Sequence, residues 1–145
     1  MRRWAPALAC VFAASLAVAQ GVPDPRRSGY RDMGPALQKM QDDDTANPGM
    51  LFVQKGAGLW RTPAGASGKS CADCHGEGSM KGVAARYPAI PRGRETPVDL
   101  EGRIELCRTD NQQAGKLAPE SDELLALTAY VASQSRGLPI APPDD

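Results

Sequence analysis

The clearest periodic stretch lies near the end of the chain. Leu124, Leu127, Thr128 and Val131 recur at three- and four-residue steps, the spacing of one helical face. Ser121 is placed to cap that helix, and Asp122 and Glu123 suit the positive end of its dipole. Arg136 and then Gly137 give the expected stop, a cation followed by a C′ glycine. A second face is written at Leu100, Ile104 and Cys107, behind Asp99 as N-cap and Pro97 before it. This spacing turns Cys107 inward with Leu100 and Ile104. A third helix is predicted over Gly49–Trp60, started by Asn47 as cap and Pro48 in the first turn. Its lines are Leu51, Lys55 and Leu59, with Phe52 and Gly56 adjacent, and Gly56 and Gly58 weaken it. Ala36–Met40 can form a short helix that the solvated Asp42-Asp43-Asp44 run ends. The stretches 63–68 and 79–95 read as turns and irregular chain.

These patterns predict an all-α small helical domain, rich in loops. The 15 Gly and 13 Pro residues bear out the loops and leave a modest core, which a large apolar group at its centre would complete. The division expected is a signal peptide over 1–19, a loose leader over 20–45, the domain over 46–138 and a tail over 139–145. The signal rests on Arg2 and Arg3, the apolar run Trp4–Ala19 and the small-x-small ending Ala17-Val18-Ala19. The run is short for a membrane span, and no later segment is apolar enough for one. Without residues 1–19 the chain carries 15 basic and 17 acidic residues, a net charge of −2. That balance makes no electrostatic case for nucleic acid or for an anionic membrane surface.

Export changes the reading of the cysteines. Cys10 leaves with the signal, so Cys71, Cys74 and Cys107 remain, an odd number for an oxidising compartment. Residues 71–75 read Cys-Ala-Asp-Cys-His, the attachment pattern of haem c. Two sulfurs on one turn of backbone can reach two vinyl groups on one porphyrin edge. The next residue is then carried under the ring, where His75, the only histidine, can meet the iron. A Cys71–Cys74 disulfide would lack a βαβ setting and leave His75 unexplained. A zinc site from Cys71, Cys74, His75 and Cys107 has suitable ligand types, although adjacent Cys74 and His75 fit one tetrahedral ion poorly. Cys107 is the candidate second axial ligand, since a thiolate serves haem iron in that role. Met80 and, behind it, Met50 are rivals, and a buried inert thiol is the plain alternative for Cys107. Arg108, the next residue, is placed to favour the thiolate. An anionic sulfur ligand would lower the reduction potential.

Longer stretches carry a more specific likeness: Asn-Pro-Gly-Met-Leu-Phe-Val at 47–53, Gly-Lys-Ser-Cys-Ala-Asp-Cys-His-Gly at 68–76 and Met-Lys-Gly-Val-Ala-Ala-Arg-Tyr-Pro at 80–88. Leu-Glu-Gly-Arg-Ile-Glu-Leu-Cys-Arg at 100–108, Glu-Ser-Asp-Glu-Leu-Leu-Ala-Leu-Thr-Ala-Tyr-Val-Ala at 120–132 and Ser-Arg-Gly at 135–137 continue it. The chain resembles the first, haem-bearing half of the SoxA family. That resemblance implies a cytochrome c-like small helical domain around one covalent haem c on Cys71 and Cys74, a periplasmic c-type cytochrome in thiosulfate oxidation and electron transfer. It implies axial ligation by His75 and Cys107, a SoxX-like cytochrome partner and a thiosulfate carrier protein. The family's activity is L-cysteine S-thiosulfotransferase, carried by a second haem domain whose motif has no counterpart in this sequence, so no catalytic residue transfers. A catalytic subunit of that enzyme, or a truncated docking module of it, are the alternatives the resemblance leaves.

Overall fold

The computed structural model describes residues 26–76 and 78–143; the signal expected at 1–19, with Cys10, lies outside them. Five α-helices follow in order: α1 Pro35–Asp42, α2 Gly49–Arg61, α3 Cys71–His75, α4 Leu100–Asp110 and α5 Asp122–Ser133. Two 3-10 turns, Gly29–Asp32 and Ala84–Arg86, interrupt the connections. Two isolated bridges, Ala64 with Lys69 and Ala89 with Val98, are the only β pairing among the described residues. The domain is therefore all-α, as the periodicity predicts.

Side-chain caps set most of the boundaries. Asp99 Oδ1 accepts the Gly102 N–H at 2.7 Å and starts α4. Ser121 Oγ accepts the Leu124 N–H at 3.4 Å and starts α5. Pro48 already has helical torsions, and Asn47 Oδ1 accepts the Gly49 N–H at 2.9 Å, so the expected Asn-Pro start of α2 is present. The C-terminal stop differs: α5 ends at Ser133, and Gly137 takes its positive φ of 76° in a turn beyond it. Carbonyls 131–133 are met by the N–H groups of residues 134–136, so successive turns unwind the helix before the glycine is reached.

The core is the α2–α5 pair. Trp60 from α2 and Leu124, Ala126, Leu127 and Val131 from α5 are buried, Ala126 completely. The inward line of α2 is Val53, Gly56 and Trp60, whereas Leu51 is 69 % exposed and Phe52 also faces outward. This corrects the lines expected for α2. Gly56 does not weaken the helix so much as permit its packing, because a Cβ there would run into the Ala126 carbonyl and lie 2.7 Å from Tyr130 Cβ. Thr128 is half-buried and completes the α5 stripe expected from spacing.

Helix α4 packs on α5, and α3 packs on α2. The leader is ordered where described. Arg136 pairs with Asp44 at 2.6 Å, and Arg26 donates to the Pro142 carbonyl at 3.3 Å, so leader and tail lie together. Both contacts are exposed and contribute little to stability.

Candidate functional site

The Cys-Ala-Asp-Cys-His sequence forms one short helix, and its start is held reciprocally. Ser70 Oγ accepts the Asp73 N–H at 3.2 Å, while Asp73 Oδ2 accepts the Ser70 N–H at 2.7 Å and its hydroxyl at 2.8 Å. This is a capping box with Asp at the third helical position. These bonds to Ser70, the backbone one first, hold the Asp73 carboxyl below its ordinary value. A lowered carboxyl contributes stability that is present above the ordinary value and is lost as pH falls through the lowered one. Ser70 is 4 % exposed, and Ser70→Ala is expected to cost about 1 kcal/mol in chemical denaturation, as N-cap losses do. An unchanged denaturation midpoint would show that the box is not holding the turn.

The connector before the motif is pinned to the end of α4. Ser67 N–H donates to the Gln112 carbonyl at 3.2 Å, and Gln112 Nε2 donates to the Lys69 carbonyl at 2.9 Å and toward Cys71 Sγ at 3.8 Å. Gly65, with φ 64°, passes so close to this carbonyl that no side chain could fit. The motif helix and the helix bearing Cys107 are thus tied by one buried glutamine.

Between them lies a largely apolar cleft of about 520 Å³. Cys71, Cys74 and His75 border it from α3, and Leu100, Ile104 and Cys107 from α4. Leu127 and Val131 form the α5 side. The three-residue face expected on α4 is therefore one wall of this cleft. Met80 borders it as well. Met50 does not: it lies against Arg136, with Nη2 at 3.4 Å from its sulfur. Cys71, Cys74 and Cys107 are all free of disulfides, with Cys74 exposed and the other two half-buried. Among the described residues no three His, Cys, Asp or Glu side chains converge in a cluster.

The charges differ from expectation in one respect. Burial pushes the Cys107 thiol up, and the cation that chiefly opposes this is Arg103. Arg108 acts on Cys71, whose thiol is also raised, first by burial and then by Cys107. The helix explains the exchange: residue 103 is one turn before 107 on the same face, whereas residue 108 is rotated about 100° away. The i−4 spacing is the signal in the sequence that identifies Arg103. Trp60 is another residue the motif reading missed. Its ring centroid lies 5.7 Å from that of His75, tilted by 34°. No local pattern announces Gln112, because its partners are 41 and 43 residues away.

Residues 55–140 match the SoxA/TsdA cytochrome c domain. The chain belongs to that family. It is 38 % identical over 115 residues to the L-cysteine S-thiosulfotransferase subunit SoxA of Pseudaminobacter salicylatoxidans, covering 78 % of this chain and 40 % of the relative. The SoxA subunit of Rhodovulum sulfidophilum is 35 % identical over 120 residues, covering 81 % and 42 %. In the crystal structure of SoxXA from P. pantotrophus, one chain superposes with a TM-score of 0.73 at 28 % identity, covering 81 % of this chain and 45 % of that one. The chain thus spans about two-fifths of the length of these curated SoxA relatives. Membership implies a c-type haem and connects the chain with sulfur oxidation and electron transfer.

Proposed function

We propose that this chain is a periplasmic SoxA-type cytochrome domain that carries one haem c, attached through Cys71 and Cys74, with His75 and Cys107 as axial ligands. The observation that carries the reading is the placement of the Cys-x-x-Cys-His turn and Cys107 on the same apolar cleft. The donor set fits the group. Two free thiols stand on one helical turn, and the walls are largely apolar, with Arg86, Arg103 and Arg108 bordering them. Two buried donors bordering the cleft, Trp60 Nε1 and Arg108 Nε, have no acceptor among the described residues, and haem brings two carboxylates. When bound, haem supplies an iron that exchanges single electrons. The protein's part is to fix the ring at one edge, present an imidazole and a thiol, and exclude water with Leu100, Ile104, Leu127 and Val131. Of the methionines, Met80 also borders the cleft, but it sits in the turn directly after the motif, on the histidine's own stretch of chain. Cys107 comes from a separate helix, which favours it as the second ligand.

The haem domain is proposed to run over 46–138, with 20–45 as leader and 139–145 as tail. A SoxX-like cytochrome is the proposed partner, by likeness to SoxXA, and a thiosulfate carrier protein the proposed recipient. Among the described residues no helix is long and apolar enough to cross a membrane.

Spectroscopy of the purified oxidised chain tests the ligand set. Cys107→Ala is expected to abolish a thiolate-type low-spin ferric signal while the haem stays covalently attached. A spectrum identical to that of the parent would remove Cys107 from the set. The likeness to L-cysteine S-thiosulfotransferase subunits favours a second reading, thiosulfotransferase chemistry in which this chain serves as a catalytic subunit or as a docking module. Thiosulfate-dependent conjugation by this chain with its partner cytochrome and carrier separates the two: turnover supports catalysis, and its absence leaves docking and electron transfer.

A further inference from the structure

A metal-bound imidazole is commonly held in one orientation by a hydrogen bond from its second ring nitrogen to a carboxylate, a carbonyl or water. Ring packing can do the same, and the imidazole of His75 meets the ring of Trp60. The rings are 5.7 Å apart and 34° from parallel, an offset arrangement that limits rotation of the imidazole about its Cβ–Cγ bond. Trp60 is itself immobilised. It is 4 % exposed, and the ring of Tyr130 packs against it with centroids 5.4 Å apart at 50°. Tyr130 can reach it because α5 approaches α2 closely at Gly56, one turn before Trp60, where a Cβ would lie 2.7 Å from that of Tyr130. The sequence elements form a chain: a glycine lets two helices meet, a tyrosine then backs a tryptophan, and the tryptophan faces the histidine.

We infer that Trp60, backed by Tyr130, is a positioning residue that sets the plane of the His75 imidazole by ring packing. The inference rests on the haem reading above. It concerns the orientation of the ligand, on which the electronic asymmetry of a ferric haem depends.

The test is proton NMR of the full oxidised chain, in which the order and spread of the hyperfine-shifted haem methyl resonances report the imidazole plane. Trp60→Leu is expected to change that order or collapse the spread, and Trp60→Phe to restore most of the parent pattern, since a flat ring remains. Tyr130→Leu, which leaves Trp60 in place but loosens it, is expected to give a smaller change in the same direction, and it decides the matter if both Trp60 variants fail to fold. Superimposable methyl patterns in the parent and in Trp60→Leu, or in the parent and Tyr130→Leu where only that variant folds, overturn the inference. A parent protein without haem resonances is a different result: it defeats the haem reading itself.

Discussion

The double variant Cys71→Ala/Cys74→Ala is expected to retain no haem after denaturation. All haem carried by the parent should remain with the polypeptide on a denaturing gel, and all of it should leave the variant on acid extraction. The two sulfurs stand three residues apart on one helical turn whose start is fixed by Ser70 and Asp73, so both are presented from one backbone segment. Loss of the group should also weaken the fold. The buried apolar side chains among the described residues are Trp60, Leu124, Ala126, Leu127 and Val131, a small core. Leu100 and Ile104 border the cleft. Burying one large aliphatic side chain contributes about 1.5–3 kcal/mol, while a domain of this kind has about 5–15 kcal/mol in all. Exposing that wall should therefore remove a substantial part of the stability, read as a large fall in melting temperature. Haem stain persisting on the denatured double variant would sink the attachment assignment.

The second large effect belongs to the scaffold. Gly56→Val is expected to destabilise the protein by about 3 kcal/mol or more, the upper end of overpacking costs. The obstacle is backbone: the new Cβ meets the Ala126 carbonyl, which cannot rotate away as a side chain would. Relief requires α2 and α5 to separate along the pairing that makes the core. Gly58, two residues on in the same helix, supplies the control. Nothing lies within 4 Å of a Cβ there, so Gly58→Ala is expected to stabilise by about 0.5–1 kcal/mol through helix propensity alone. Urea denaturation of the two variants beside the parent measures both. Equal midpoints for Gly56→Val and the parent would refute the close approach.

These two glycines show where sequence reading reaches and where it stops. Both look like defects in a helix. Only the neighbouring helix distinguishes them, and that neighbour is some 70 residues away. The same limit explains the misplaced face of α2: Leu51 and Leu59 are the apolar candidates by composition, yet the packed line passes through a glycine and ends on Trp60. Features set within one turn were legible. Asn47, Asp99 and Ser121 cap as their chemistry requires, and Leu100, Ile104 and Cys107 share a wall because their spacing puts them on one face. The cation beside Cys107 was sought one residue away rather than one turn away, which the helical repeat corrects. Gln112 was out of reach because its tie to Lys69 and Cys71 exists only after the chain has folded back.

The division between the α2–α5 core and the cleft walls on α4 and the 79–87 turn has a consequence for how such a domain can change over generations. The helices that keep the protein folded donate few of the groups that surround the cleft, Trp60 from α2 and Leu127 and Val131 from α5. Substitutions along α4 or in the 79–87 turn can therefore alter the polarity and charge about the cleft while the α2–α5 pair stays intact. Selection can thus change the charge about the cleft, at Arg103 on α4 or Arg86 in the turn, with the α2–α5 pair left as it is.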